Sequence, residues 1–325
     1  MVRSRTRAFT ALITLCALVA IGAVATAVLG QQSTTGPKRS AALAKPYVIF
    51  RALDKNAGPA HLGELTSTEA SAPGQLRRAT GRLCDRVYAV AAGGICVARS
   101  RSLTGAYEAQ ILGPDGKLRH KVGLEGVPSR ARVSPDGRYG TTTTFVTGDS
   151  YAKPGAFSTR ALIIDMKRGT AITDLEKFTV SDHGRVIDAA DVQYWGVTFA
   201  RDSDTFYATL ATGGKTHLIK GSISERTATV IRDNVECPSL SPDGTRIGYK
   251  KLIDDKGHWR LHVLDLASGA DVALAETRSV DDQLEWRDDH NLLYQFGDDV
   301  WTVPADGSGA AKRYIKHAGS PAVVR

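Results

Sequence analysis

One turn, written twice, constrains this chain more than any other feature. Ser134-Pro135-Asp136-Gly137 and Ser241-Pro242-Asp243-Gly244 are the same four residues, each preceded by an apolar residue and followed by a strand-like run. Proline presets the second turn position, aspartate can bond its own backbone, and glycine accepts a positive φ, so each copy encodes a tight turn between strands. Degraded copies stand at Ala91-Ala92-Gly93-Gly94, Ala200-Arg201-Asp202-Ser203 and Trp286-Arg287-Asp288-Asp289. The five starts are separated by 43, 66, 41 and 45 residues. Three of these intervals match a four-stranded propeller blade, about 40–45 residues, and the 66 is one period plus about 20 more.

A second marker keeps phase with the first. Leu162-Ile163-Ile164-Asp165 closes at Gly169, Val263-Leu264-Asp265 closes at Gly269, and Val300-Trp301-Thr302-Val303 runs into Asp306-Gly307-Ser308-Gly309. Between the markers lie short β-branched or alternating runs such as Arg86–Val90, Thr141–Val146 and Thr205–Leu210, separated by Gly, Asp, Asn and Pro. After Leu29 no capped helical period is present. Tyr47–Phe50, His61–Leu65 and Gln75–Arg78 supply three further strands, one short of a blade. Gly319 to Val324 resembles the inner-strand segments Val127-Pro128-Ser129 and Cys237-Pro238-Ser239-Leu240. An open arc would leave sheet faces and edges bare, so the C-terminal strand is expected to complete the N-terminal blade. The expected fold is an all-β, six-bladed propeller over residues 47–325.

The stretches "SPDGTRIGYK", "LHVLDLASG" and "VWTVPADGSG" resemble the repeats of TolB-like and related WD-type propellers across nearly all of 47–325. The resemblance implies the propeller fold and leaves function open, because propellers host many activities. TolB carries an α/β domain before its propeller, whereas here the expectation is a short tether, 30–46, between the apolar segment 8–29 and the first strand.

Residues 1–7 read as a cytoplasmic basic tail, 8–29 as a transmembrane anchor or signal segment, and 30–46 as a flexible tether. Ala8 to Leu29 is free of charge for 22 positions, ten of them Phe, Leu, Ile or Val. That length spans a hydrocarbon core of about 30 Å as a helix, and its apolar residues favour insertion by about 3 to 6 kcal/mol. Arg3, Arg5 and Arg7 precede it, so the positive-inside rule sends everything after Leu29 outside. Ala25-Thr26-Ala27 fits a small-x-small cleavage site, and cleavage near Ala27 would give a secreted protein instead. Gln31 to Lys45 is rich in Ser, Thr, Ala and Gly, as flexible linkers are.

Recognised chemistries are scarce. There is no G-x-S-x-G elbow, no phosphate-binding glycine loop and no H-E-x-x-H motif. His258 and His262 sit about 13 Å apart if extended, too far to share a metal. The acidic pairs Asp254-Asp255, Asp281-Asp282 and Asp298-Asp299 lack calcium-loop spacing and read as turn carboxylates. Asp165 and Asp265 recur at equivalent positions and read as turn formers. No metal or other cofactor is expected. Cys84 and Cys96 lie in one predicted blade and outside the membrane, where a disulfide persists; Cys237 is left free.

The formal charge of +8 includes Arg3, Arg5 and Arg7, and the remainder forms no basic stripe, so nucleic acid is not an expected partner. In a propeller, the loops between the second and third strands and those entering the next blade share one face. The long ones are Arg99–Ala106, Thr147–Ser158, Asp182–Trp195 and Ile253–Trp259. They bring Tyr151, Phe157, Asp182, His183, Tyr194, Trp195 and Trp259 to one rim, the kind of surface that recognises a partner. The expected role is a non-enzymatic binding platform for an envelope protein, peptide or glycan. The alternative is a propeller enzyme, such as a lactonase or other small-substrate hydrolase, which would need a metal or acidic cluster at the channel mouth.

Overall fold

The computed structural model describes residues 45–100, 105–147 and 157–325, with backbone alone at Thr147 and Phe157. The basic tail, the apolar segment, most of the tether and Tyr151 lie outside the described residues. Six sheets, antiparallel but for one parallel pairing in the fourth, follow one another in chain order. Blade 2 is built from Arg86–Val90, Gly93–Arg99, Tyr107–Leu112 and Leu118–Leu124, counted from the axis outward. Blade 3 repeats the pattern from Val127–Val133 to Thr170–Asp174, blade 5 from Glu236–Leu240 to Asp271–Ala273, and blade 6 from Glu285–Trp286 to Lys312–Ile315.

Blade 1 is the composite one. Its inner strand is Ala318–Val324, and Tyr47–Ala52, Glu64–Glu69 and Arg78–Leu83 lie outside it. The seam is antiparallel, with Tyr47 opposite Val324, Val48 opposite Val323 and Ile49 opposite Ala322. The ring is closed by its own tail. The third and fourth strands of this blade begin three residues later than the sequence pattern places them. His61 ends a short 3-10 turn from Pro59, and Gly63 at φ 86° turns the chain before the strand can start.

The hydrophobic core is divided into six clusters, one in each gap between neighbouring blades. Ile49, Leu65, Val87 and Ala98 fill the gap between blades 1 and 2. Val48 and Phe50, one residue to either side of Ile49, pack with Leu293 and Val300 between blades 6 and 1. Alternate side chains on a strand point to opposite faces, so each sheet is buried on both sides. This accounts for the β-branched runs, and it makes every blade depend on two neighbours.

The repeated turns are the same object. Ser134 Oγ accepts from Tyr139 N–H at 2.9 Å and bonds Asp136, whose Oδ1 accepts from Arg138 N–H at 2.9 Å. Ser241 accepts from Arg246 N–H at 2.9 Å and bonds Asp243, which accepts from Thr245 N–H at 3.0 Å. Asp165 and Asp265 form equivalent turns after the third strands, accepting from Arg168 N–H at 2.9 Å and Ser268 N–H at 2.8 Å. All these turns lie on one face of the ring, the turn face. The longer connections open on the opposite loop face.

The extra residues between blades 3 and 4 are folded rather than looped. Leu175–Lys177 is a 3-10 turn, and Thr179–Asp182 pairs in parallel with Thr227–Asp233, the outermost strand that blade 4 would otherwise expose. Arg185–Val186 adds a sixth strand. Leu175, Phe178 and Val180 anchor the insertion in the core between blades 3 and 4.

Candidate functional site

The inner strands run from the loop face to the turn face around the axis. On the inner strand of blade 3, Arg130 and Arg132 are two residues apart and share a side of the strand. Both reach the channel, at different depths.

Arg132 closes the channel. It forms an ion pair with Glu285 of blade 6 and donates to the Leu284 carbonyl and, at 3.1 Å, to Ser239 Oγ of blade 5. Its guanidinium also lies 4.5 Å from the centre of the Tyr88 ring of blade 2. Burial opposes the charge, but Tyr88 and Glu285 outweigh it and raise the Arg132 pKa above its ordinary value. Glu285 Oε1 accepts from Val323 N–H at 3.1 Å, which ties in the closing strand. Trp286 Nε1–H donates to the Ser239 carbonyl at 2.8 Å, and Gln283 donates to the Pro238 carbonyl at 2.8 Å.

Above this floor, on the loop face, is a cavity of about 470 Å³ lined by Arg51, Arg86, Arg130, Asp281, Asp282 and Gln295, among others. Arg86 donates to two neutral backbone carbonyls, Ser129 at 2.5 Å and Asp85 at 3.1 Å. Arg130 donates to the Ser129 carbonyl at 3.0 Å and stands 3.8 Å from Asp281. The Nε atoms of Arg51 and Arg130 are buried without a hydrogen-bond partner. Burial, then the charge of Arg130, pushes the Arg86 guanidinium below its ordinary pKa, despite the nearby Asp282 and Asp85.

The two acids are already engaged. Asp281 accepts from Lys250 Nζ, and Asp282 accepts from Gln295 N–H at 2.8 Å. Burial raises the Asp281 pKa, but Lys250, Arg130 and Arg86 overcome it and hold the carboxyl below the usual range. Asp281 is exposed, as the sequence reading has it, and Asp282 is half-buried; both lie in a connection between strands and line the mouth. Asp254 does cap its turn, accepting from Lys256 N–H at 3.0 Å.

The rim residues expected from sequence that the structure describes have different surroundings. Tyr194 is buried in the core between blades 3 and 4. Trp195 is half-buried on the inner strand Gln193–Phe199. Trp259 heads the third strand of blade 5, donates to Glu236 Oε1 at 2.9 Å and has Lys250 Nζ 4.3 Å from its ring centre. Asp182 and His183 pair at 2.8 Å at the tip of the added hairpin, on the periphery of blade 4 and away from the mouth. Phe157 begins the third strand of blade 3, and its side chain is outside what the structure describes.

His258 and His262 take separate carboxylates, Asp254 at 2.6 Å and Asp271 at 2.8 Å. Among the described residues no three His, Cys, Asp or Glu side chains are grouped to hold a metal. Cys84 and Cys96 are disulfide-bonded with Cα atoms 5.4 Å apart, and Cys237 is free and buried. Cys84 stands in the link from blade 1 to blade 2 rather than on a strand of blade 2, so the bridge fastens that link to the blade's second strand.

Sequence reasoning passed over the mouth itself. The legible signal was cationic side chains in inner-strand segments, with Arg130 and Arg132 in alternation and Arg86 at a strand start.

The fold and the plugged axis define an all-β, six-bladed propeller. Among solved structures it is similar to TolB from Acinetobacter baumannii, with a TM-score of 0.60 and 14% identity over 86% of this chain and 67% of that one. It is likewise similar to a chain of a nidogen/laminin complex, with a TM-score of 0.55 and 10% identity over 86% of this chain and 98% of that one. No family model and no curated protein matches the chain. At these identities the likeness is one of fold.

Proposed function

We propose that the protein is a membrane-anchored, extracytoplasmic propeller whose loop face is a non-enzymatic docking platform for an envelope protein or peptide. The observation that carries this reading is the apolar rim of that face. Leu62, Leu83, Val127, Phe145 and Ile253 are each between 42 and 58% exposed, and all lie at strand ends or in loops that open there. Exposed apolar side chains collected on one face mark a surface suited to binding another protein. The polypeptide enters the ring at Tyr47 beside Val324, on the turn face, which leaves the loop face unobstructed by that junction. The disulfide favours an oxidising compartment, in keeping with export by the apolar segment 8–29. The hydrolase alternative gains little from a mouth lined with guanidinium groups, which repel a catalytic cation.

The test is photocrosslinking in intact cells. A photoreactive residue is placed at Val127 or Ile253 on the loop face, or at Lys167 or Ser308 on the turn face. A discrete adduct from the loop face alone is expected. Adducts from both faces, or from neither, overturn the reading. Alkaline extraction of membranes tests the anchor separately, since a cleaved product would leave with the soluble fraction.

A further inference from the structure

The cavity at the loop-face mouth has a charge problem that the protein does not solve with its own groups. Arg51 and Arg86 share it without a carboxylate partner. Arg86 gives Nε and one terminal nitrogen to backbone carbonyls, and Arg51 leaves Nε buried and unmatched. Arg130 is close enough to add to the repulsion, and its own Nε is unmatched as well. Like charges gathered in a partly desolvated pocket are costly unless a counter-ion joins them. The acids that could have served are committed to Lys250 and to the Gln295 amide. With Asp281 shared with Lys250, and only Asp282 and Asp85 acting on Arg86 from nearby, the three guanidinium groups keep a net positive charge at the mouth.

We propose that this mouth captures a carboxylate from an acidic peptide segment of the docked partner, held between Arg51 and Arg86 with Arg130 behind. The proposal rests on the loop face being the docking surface and names the chemistry that surface reads. A carboxylate carries the negative charge the cavity is short of, and its planar pair of oxygens matches the guanidinium fork. A phosphate dianion would bring a second negative charge against Asp281 and Asp282, which line the same mouth. A volume of about 470 Å³ accommodates an acidic side chain with its flanking peptide. The apolar rim, where Val127 and Phe145 are paired across neighbouring strands, supplies the contact area around that anchor.

The experiment uses the full chain in detergent micelles, titrated calorimetrically with tetraglutamate, tetraglutamine and inorganic phosphate at low and moderate salt. Tetraglutamate is expected to bind, tetraglutamine not to. The affinity should fall with salt and drop by at least about tenfold in the Arg51→Gln/Arg86→Gln protein. A second readout needs no ligand. In low-salt, anion-poor buffer Arg51→Gln should raise the melting temperature, because it relieves repulsion and forfeits no hydrogen bond. A purely structural Arg51 would lower it. Equal binding by wild-type and double-variant proteins, no binding of tetraglutamate, or tighter binding of phosphate overturns the proposal. The crosslinking from Val127 and Ile253 reads the docking face independently, so the two readings fail separately.

Discussion

Arg132 of blade 3 and Glu285 of blade 6 meet in a buried ion pair across the ring axis, and the same carboxylate accepts the Val323 amide of the closing strand. One acid therefore holds together the far side of the ring and the seam. Two consequences follow for stability, one from the pair and one from the seam.

Removing one partner leaves the other charged and buried. Arg132→Met or Glu285→Gln is expected to cost about 3–5 kcal/mol, whereas Arg132→Met combined with Glu285→Leu should recover much of it. Urea denaturation of the three proteins measures this. A single variant no worse than Arg119→Met, which removes an exposed arginine, would show that the axis pair does not brace the ring.

Truncation before Ala318 removes the inner strand of blade 1, including Ala322 and Val323, which are buried in two different inter-blade gaps. The truncated ring should melt at lower temperature and less cooperatively, because both sides of the seam lose their packing. A synthetic peptide covering residues 316–325, supplied in trans, should restore the cooperative melt. Unchanged melting after truncation would mean that the seam carries no stability.

The bridge between Cys84 and Cys96 closes a loop of 12 positions. On the chain-entropy account it contributes about 3 kcal/mol by restricting the unfolded chain. The double variant Cys84→Ser/Cys96→Ser should lose roughly that amount in denaturant unfolding. Reductant should bring the wild-type protein to the same midpoint and leave the variant where it is. A reductant-insensitive wild-type midpoint would contradict the estimate.

The repeats were readable because their cause is local. Serine, aspartate and glycine at fixed offsets build the same hydrogen-bonded turn wherever they stand, so Ser134 and Ser241 mark equivalent corners without tertiary information. The seam was readable because Gly319 to Val324 has the texture of an inner strand and nowhere else to pair. The fate of Asp182–Trp195 was not. Leu175, Phe178 and Val180 draw the insertion into the core between blades 3 and 4, and only tertiary packing decides that. The mouth failed to stand out for a related reason. Arg51, Arg86 and Arg130 come from three blades, and their convergence is a property of the ring.

A pH dependence of stability is expected at Glu276. Its carboxylate is 2% exposed, accepts from Arg278 N–H at 2.8 Å and Arg278 Nε at 2.9 Å, and accepts from the Tyr294 hydroxyl. Arg278 is itself held between the rings of Phe296 and Trp301 at 4.1 and 4.0 Å. Burial alone would raise the Glu276 pKa, but the Arg278 and Tyr294 bonds reverse it and bring it down to about 2, against an ordinary 4.5. A folded-state pKa below the unfolded one means that the ionised carboxylate stabilises the protein fully above pH 4.5. That contribution is lost as pH falls from 4.5 towards 2. Glu276→Gln should therefore be clearly less stable than wild type at neutral pH, and the gap should shrink steadily as the pH falls through this window. Denaturant midpoints of both proteins at several pH values decide it. A gap that stays constant down to the lower limit would show that Glu276 contributes shape and hydrogen bonds but no charge.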